Sequence, residues 1–505
     1  MRRLLSPALS ILLLTAFCLL STPVGASSGP PEPPAVLTIV HLNDIYEIMP
    51  IEGGRYGGPA RVATVIADLK KAGAPMLTTL GGDYLSPSAL GTAKLDGKPL
   101  AGRQMVDVLG AMGLDWATFG NHEFDVSEEA FRAHLTEARF RIVSTNVTDA
   151  DGKPFAGVPT SAIVPVQVGG RSLRIGLIGV TIDSTRKPWV RYRDPIQAAQ
   201  EEVAKLAGQT DAIIALTHLS LAQDADFVAA VPGLDLVLGG HEHENWQLSR
   251  GPRFTPIVKA DANVRSLAVA TLTFGASGAR PVVATRLQLI DETIPSDQAV
   301  LARAERWMEI GFTAFRKEGF APEAVVATST EPLDGREATV RNRPGRLTDL
   351  IAAAMLREAD DAQVAVFNSG SVRIDDVIPA GPITEYDIIR ILPFGGKVVA
   401  VTMDGALLAR VLDMGVNNQG LGGYLHSAGA AWTEGGWRIA GKPLDPAANY
   451  PVVMTDFLLS GGEINLGFLN KDNPQVHGVR ELRDIRRIMI EELKKVYPPV
   501  EAGKQ

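Results

Sequence analysis

The sequence predicts a layered α/β domain, β-sheets flanked by helices, followed by a smaller α+β domain. Three observations carry this. Apolar β-branched runs at 36–41, 76–80, 116–119, 173–180, 212–216 and 234–238 alternate with helical patterns at 58–72, 105–112, 127–138 and 195–207. One long helical pattern of mixed charge, DQAVLARAERWMEIGFTAFRK at 297–317, then reads as a connector. Beyond it come helices at 346–359 and 405–414, strands at 363–367 and 397–402, and Gly-rich loops at 419–423 and 461–462. Glycine in such loops lets a backbone come close to a ligand. The expected division is a first domain over 35–292, a linker helix over 293–320 and a second domain over 321–500.

A chain of 505 residues is long enough for two or three domains, each with its own core. Its 46% hydrophobic and 21% charged residues exclude disorder and fibre. Lys plus Arg is 49 and Asp plus Glu is 57, a net charge of −8, which argues against a nucleic-acid polymer as partner and leaves room for a small anionic one. Arg2 and Arg3 precede an apolar run ending near Leu20, and Val24-Gly25-Ala26 follows with the small residues of a cleavage site. Residues 1–26 therefore read as a signal peptide, and the protein as exported, periplasmic or secreted. Cys18 is the single cysteine and lies inside that segment, so a metal held by the mature chain must use oxygen and nitrogen ligands. No later stretch is long and apolar enough for a membrane span.

The polar residues of the first half fall at strand ends. Asp44, Asp83, Asn121 with His122, His218, and His241 with His243 each follow an apolar run, and two of the sets sit in Gly-rich turns. In an open α/β sheet the carboxyl ends of strands point into one crevice, so these side chains are expected to converge there. Taken singly, each is as readily a turn residue, a helix cap or a surface group. Taken together they suit a pair of metal ions about 3.5–4 Å apart, which needs a bridging carboxylate and terminal N/O ligands and leaves space for a hydroxide aimed at phosphorus. Asp, Asn and His without cysteine fit manganese, zinc, iron or cobalt better than calcium.

These motifs carry a resemblance. His41-Leu-Asn-Asp44, Gly-Gly-Asp83, Gly-Asn121-His122-Glu123-Phe124-Asp125, Thr-His218 and Gly-His241-Glu-His243 occur in the order of the calcineurin-like metallophosphoesterase signature. Arg341-Asn-Arg343, Asn368-Ser-Gly-Ser-Val-Arg373, Leu392-Pro-Phe394, Gly423-Tyr424-Leu and Phe457-Leu-Leu-Ser-Gly-Gly-Glu463 resemble the C-terminal domain of the 5′-nucleotidase family. The resemblance implies a metallophosphoesterase domain followed by a substrate-binding domain, with two divalent metal ions, or one divalent and one trivalent. It implies that Asp83 bridges them, that Asp44 and His243 hold one, and that Asn121, His218 and His241 hold the other. His122, oriented by Asp125, would act on the phosphate as the catalytic group. Arg341, Asn368 and Arg373 would grip the ribose or phosphate end of a nucleotide, Tyr424 and Phe457 would sandwich its base, and Glu463 would contact the ribose.

Three positions depart from the family pattern. The usual Asp-x-His is Asp44-Ile-Tyr46, so Tyr46 stands where an imidazole ligand is expected, either as a ligand itself or just outside the ligand shell. Asn-Gly-Gly-Gly-Ile-Arg has become Asn368-Ser-Gly-Ser-Val-Arg373, and Gly-Gly-Asp has become Gly-Gly-Glu463. The resulting expectation is an exported phosphohydrolase acting on nucleoside 5′-monophosphates. Its rivals are a UDP-sugar hydrolase, a 2′,3′-cyclic nucleotide phosphodiesterase, a thiosulfohydrolase, or a nucleotide-binding protein with an impaired metal site.

Overall fold

The structure, a computed structural model, describes residues 35–498 except 74, 169 and 276–278. The signal peptide read at 1–26 lies outside those residues. Two six-stranded sheets make up the first half. In the first, Ala35–Leu42, Met76–Leu80, Trp116–Ala117 and Arg141–Ile142 run parallel, and Ser266–Phe274 and Val282–Leu289 add antiparallel strands beside Ala35–Leu42. In the second, Arg171–Thr181, Ala212–His218, Leu236–Gly239 and Thr255–Lys259 are parallel, closed at the edges by antiparallel Ser161–Val168 and Trp246–Arg250.

Strand parity decides what each side chain packs against. Leu37 and Ile39 of the first sheet meet Leu177, Ile214, Leu216 and Leu238 of the second in a dry layer between the sheets. Val40 and Leu42 turn the other way, onto the helices Pro59–Lys71 and Arg103–Met112 through Val62, Ile66, Val108 and Leu109. Ile213, Ala215 and Val237 do the same on the far side, against Val203 of Pro195–Leu206 and Phe227 of Leu221–Ala230. The result is a helix, sheet, sheet, helix sandwich. The layered arrangement of sheets flanked by helices expected from the sequence is present, and the strand ends that carry the polar residues are divided between two sheets whose carboxyl ends meet at one rim. Both layers of parallel strands are covered on each face, so periodicity alone could not tell one sheet from two.

The helix Gln298–Lys317 begins where Asp297 accepts hydrogen bonds from Ala299 N and Val300 N, 3.0 Å each. It buries Val300, Ala304, Trp307, Gly311 and Phe315, one stripe at helical spacing. Trp307 donates its indole N–H to Asp107 of the first half (2.9 Å), and Phe312 packs against Tyr386 of the second (4.9 Å between rings). The second half carries a five-stranded sheet in the order Leu425–Ala428, Val364–Asn368, Asn449–Thr455, Lys397–Asp404, Val476–Asp484. One face packs on helix Gly405–Asn417, the other on Arg346–Arg357 and Ile485–Val496. Among the described residues no helix is long and apolar enough to cross a membrane.

Two buried histidines make this fold acid-sensitive. His41 accepts from Thr79 Oγ1 (2.9 Å) and donates to the Gly239 carbonyl (3.1 Å), pinning the first sheet to the second. His426 donates to the Val340 carbonyl at 2.8 Å. Burial depresses both from 6.5 to about 4. Between those values the unfolded chain binds the protons first, so each contribution is complete above pH 6.5 and is lost as pH falls towards 4. Denaturant unfolding followed across that range is expected to show falling stability, with a shallower slope in His426→Gln.

Candidate metal centre and substrate cavity

Three of the expected ligands sit on backbone that side chains other than glycine rarely adopt. Asp44 (φ 50°), Asp83 (φ 56°) and His241 (φ 79°) are all left-handed, each in the turn directly after a strand. The turns are locked into one another. Asp44 N donates to the Gly82 carbonyl (3.1 Å), Ile45 N to the Asp83 carbonyl (2.9 Å) and His241 N to Asp44 Oδ2 (2.9 Å). The approach is close enough to require glycine: a Cβ at Gly240 would stand 2.9 Å from His218 Nδ1 and 3.0 Å from Asp44 Oδ2, and would collide with the Gly81 carbonyl.

The side chains converge. His218 Nδ1 donates to the Gly81 carbonyl (2.7 Å), which fixes the tautomer and leaves Nε2 facing Asp83 Oδ2 at 3.1 Å and Asp44 Oδ1 at 3.9 Å. His243 repeats the pattern, with Nε2 3.6 Å from Asp44 Oδ1 and Nδ1 donating at 2.8 Å to Asp375. His241 lies edge-on to His218, ring centroids 5.2 Å apart. The Tyr46 hydroxyl is inside the cluster, 3.4 Å from Asp44 Oδ1, 3.3 Å from Asp83 Oδ2 and 3.2 Å from His243 Nε2. Burial and the surrounding carboxylates push its ionisation well above 10.

These atoms fit a cation. Ligand atoms of Asp44, Asp83 and His218 all lie within 4.8 Å of one another and are buried. Asn121 Oδ1 is buried without a hydrogen-bond partner among the described residues. Burial would lower His218 and His243, yet the carboxylates around them win: Asp83 and Asp44 raise the first to about 9, and Glu337 and Asp375 raise the second to about 10. Protons thus stand in for positive charge that two buried carboxylates demand.

Two groups that the sequence reading did not single out hold this centre. Glu123 is fully buried and collects four backbone N–H groups, from Asp83 (2.9 Å), Tyr84 (2.7 Å), Leu85 (3.1 Å) and Gly120 (2.5 Å). Lys259, also fully buried, pairs with Asp224 (2.9 Å) and Glu242 and donates to the carbonyls of Leu219 (2.6 Å) and Gly240 (2.7 Å), one beside each histidine loop. A charged residue inside a ligand motif, as Glu123 is, was the available signal for the first. Lys259 closes an ordinary apolar strand and gave none.

His122 Nδ1 is 2.5 Å from Asp125 Oδ2, and its backbone N–H donates to Asp83 Oδ1 (2.8 Å). Asp125 also lines a cavity of about 610 Å³ whose other wall is built by the second half: Asn368, Arg373, Phe394, Phe457 and Glu463. Asn368 donates to Glu463 Oε2 at 2.6 Å, and the Arg373 guanidinium lies 5.9 Å from the Phe394 ring centre. Arg341 is outside this lining, paired to Glu337, which also reaches Arg373 (3.8 Å) and His243 (3.6 Å). Tyr424, expected to face Phe457 across the base, is 9% exposed, lies edge-on to His426 and through its carbonyl accepts Ser369 N (2.8 Å), which braces the 368–373 loop; the cavity is lined without it. Phe457 (47% exposed) shares the cavity wall with Phe394 (57%), already visible in the sequence as Leu392-Pro-Phe394.

A two-sheet sandwich with a buried Asp, Asn and His cluster at its rim, facing an aromatic-lined cavity, defines a metallophosphoesterase with a second, ligand-facing domain. Residues 37–245 match the calcineurin-like phosphoesterase family, whose members use divalent metals, and residues 325–468 match the 5′-nucleotidase C-terminal domain. The chain is 26% identical to the snake venom 5′-nucleotidase of Naja atra, over 92% of this chain and 97% of that protein. It is 26% identical to the 5′-nucleotidase of Bos taurus, over 98% and 93%. The 5′-nucleotidase precursor of Thermus thermophilus shares the fold, with a TM-score of 0.74 at 24% identity over 93% of this chain and 98% of that one. The protein thus joins a calcineurin-like phosphoesterase domain to a 5′-nucleotidase C-terminal domain, as its 5′-nucleotidase relatives do over nearly their whole length, and is a phosphoric ester hydrolase.

Glu123 gives a direct test of how the turn around Asp83 is held. Glu123→Ala strands four buried N–H groups and is expected to lower unfolding stability by about 3 kcal/mol or more. Denaturant titration of the metal-free protein measures this; an unchanged midpoint would show that the turn does not depend on Glu123.

Proposed function

We propose that the protein is an exported enzyme that removes the 5′-phosphate from nucleoside monophosphates. One observation carries the reading: a single cavity is walled by Asp125, the partner of His122, on one side and by Arg373, Phe394 and Phe457 on the other. A phosphate at the metal centre and a base between two aromatic rings is what such a cavity suits. Export belongs to the same reading, and one of the similar proteins is named for snake venom.

Asp44, Asp83 and His243, together with Asn121, His218 and His241, would hold the ions, Asp83 standing between the two sets. Bound there, divalent ions supply Lewis-acid charge to the phosphoryl group and activate water. The donor set, oxygen and nitrogen only, suits manganese, zinc, iron or cobalt. Asp125 fixes the His122 ring through Nδ1 and leaves Nε2 to hold a proton at the phosphate or deliver it to the departing 5′-oxygen. Arg373 and Asn368 hold the anionic and ribose portion, Glu463 accepts from ribose hydroxyls, and Arg341 acts through Glu337. Phe394 and Phe457 stack on the base.

A phosphate-release screen of nucleotides and sugar nucleotides across several divalent metals, with Asp83→Asn as blank, tests the assignment. Fastest release from 5′-monophosphates supports it; preference for a sugar nucleotide or a cyclic nucleotide replaces it with that substrate class. His122→Ala is expected to lower kcat by roughly 10²-fold or more with its metal content intact. Base stacking is worth about 1–3 kcal/mol, so Phe457→Ala should raise KM for nucleotides roughly tenfold or more. A small aryl phosphate, having no nucleobase, should suffer less, and equal losses on both substrates would point to a folding role for Phe457.

A further inference from the structure

The two histidines that face the buried carboxylates are held by different parts of the molecule. His218 is oriented by the Gly81 carbonyl, within its own domain. His243 is oriented by a residue from beyond the connecting helix: its Nδ1 donates to Asp375 Oδ2 at 2.8 Å, and Glu337 Oε2 stands 3.6 Å from the same nitrogen. The Asp375 carboxylate is itself fixed, since its Oδ1 accepts Glu337 N at 2.8 Å, and the side chain is buried.

The next residue shows why the contact is made across the boundary. Asp376 accepts Glu52 N at 3.2 Å, pairs with Arg265 at 3.7 Å, both from the first domain, and pairs with Arg390 at 2.8 Å. Arg390 in turn reaches Glu47 of the first domain at 2.9 Å. Adjacent aspartates therefore do two things. Asp376 docks the loop on the first domain, and Asp375 is delivered to His243.

We propose that Asp375 is a positioning residue for the ion on the Asp44 and His243 side, so that retention of this ion depends on how the second domain is docked. A carboxylate on the outer nitrogen of a ligating imidazole fixes its tautomer and orientation and raises its basicity, and losing such a partner typically weakens metal binding by about 10–100-fold. Because the partner lies on the other domain, linkage makes the effect reciprocal: occupancy of this site favours the docked arrangement to the same extent that docking favours occupancy. No such dependence applies to the His218 side.

The inference rests on the reading of His243 as a metal ligand, and the experiment separates the two. Zinc binding to the full-length mature chain is measured by competition with a chromophoric chelator. The wild type should bind two ions, and His243→Ala should lose one; if it keeps both unchanged, the ligand reading itself fails. Given that loss, Asp375→Ala is expected to weaken one ion by about 10–100-fold, with the other ion unchanged. Asp375→Asn, which keeps an acceptor, should fall between. Asp376→Ala, which touches neither His243 nor another assigned ligand, should weaken the same ion. Unaltered affinity in Asp375→Ala, equal weakening of both ions, or no effect of Asp376→Ala would each overturn the proposal.

Discussion

Two carboxylates, Asp44 and Asp83, lie side by side with no access to water. Removing such charges from solvent costs on the order of several kcal/mol each unless opposite charge is brought in. The surroundings of the pair are organised around that cost. Histidines carry protons against the effect of their own burial, backbone amides aim at the carboxylate oxygens, and three turns adopt left-handed backbone to bring everything within reach. A divalent cation is the natural occupant, and the sandwich supplies a rim where strands from two sheets can deliver ligands to it.

The second domain is tied to this centre by charge as well as by apolar contact. Glu47, Glu52 and Arg265 of the first domain face Arg390 and Asp376 of the second, in a half-buried network whose removal in part would leave uncompensated charge. The same interface puts Glu337 between His243 and two arginines, Arg341 and the cavity-lining Arg373. Metal side and substrate side thus share one carboxylate, and the cavity wall cannot shift without changing what faces the metal side.

Much of this was legible in the sequence because ligand motifs are local. The spacing of Gly-Gly-Asp83 or Gly-His241-Glu-His243 fixes a turn after a strand, and the helices at 59–71, 195–206 and 298–317 carried clear periodicity and Pro or Asp starts. Pairings between distant segments were not. The division into two sheets depends on which face of each strand meets which layer. The hairpin Ser266–Phe274 with Val282–Leu289 has β-branched runs that mark it as strand but not which sheet it joins, and the strand Val476–Asp484, exposed along most of its length, carries little signal that separates it from a loop. Tyr424 and Phe394 were both quoted as motif aromatics, and only their relation to the 368–373 loop and to Arg373 tells the bracing ring from the cavity wall. Asp375 offered no motif at all, because its partner is 132 positions away.

Lys259 brings a constraint on how this sequence can vary. An ammonium with no exposure is tolerable only while Asp224 and Glu242 neutralise it and two carbonyls take up its hydrogens. Changing Lys259 alone leaves Asp224, a carboxylate with no exposure, without a counter-charge beneath the histidine loops. A methionine at 259 would need a neutral residue at 224 in the same ancestor. Lys259 and Asp224 are therefore tied to each other, since neither can become neutral alone without stranding the other, whereas the partly exposed Glu242 is free to vary more widely.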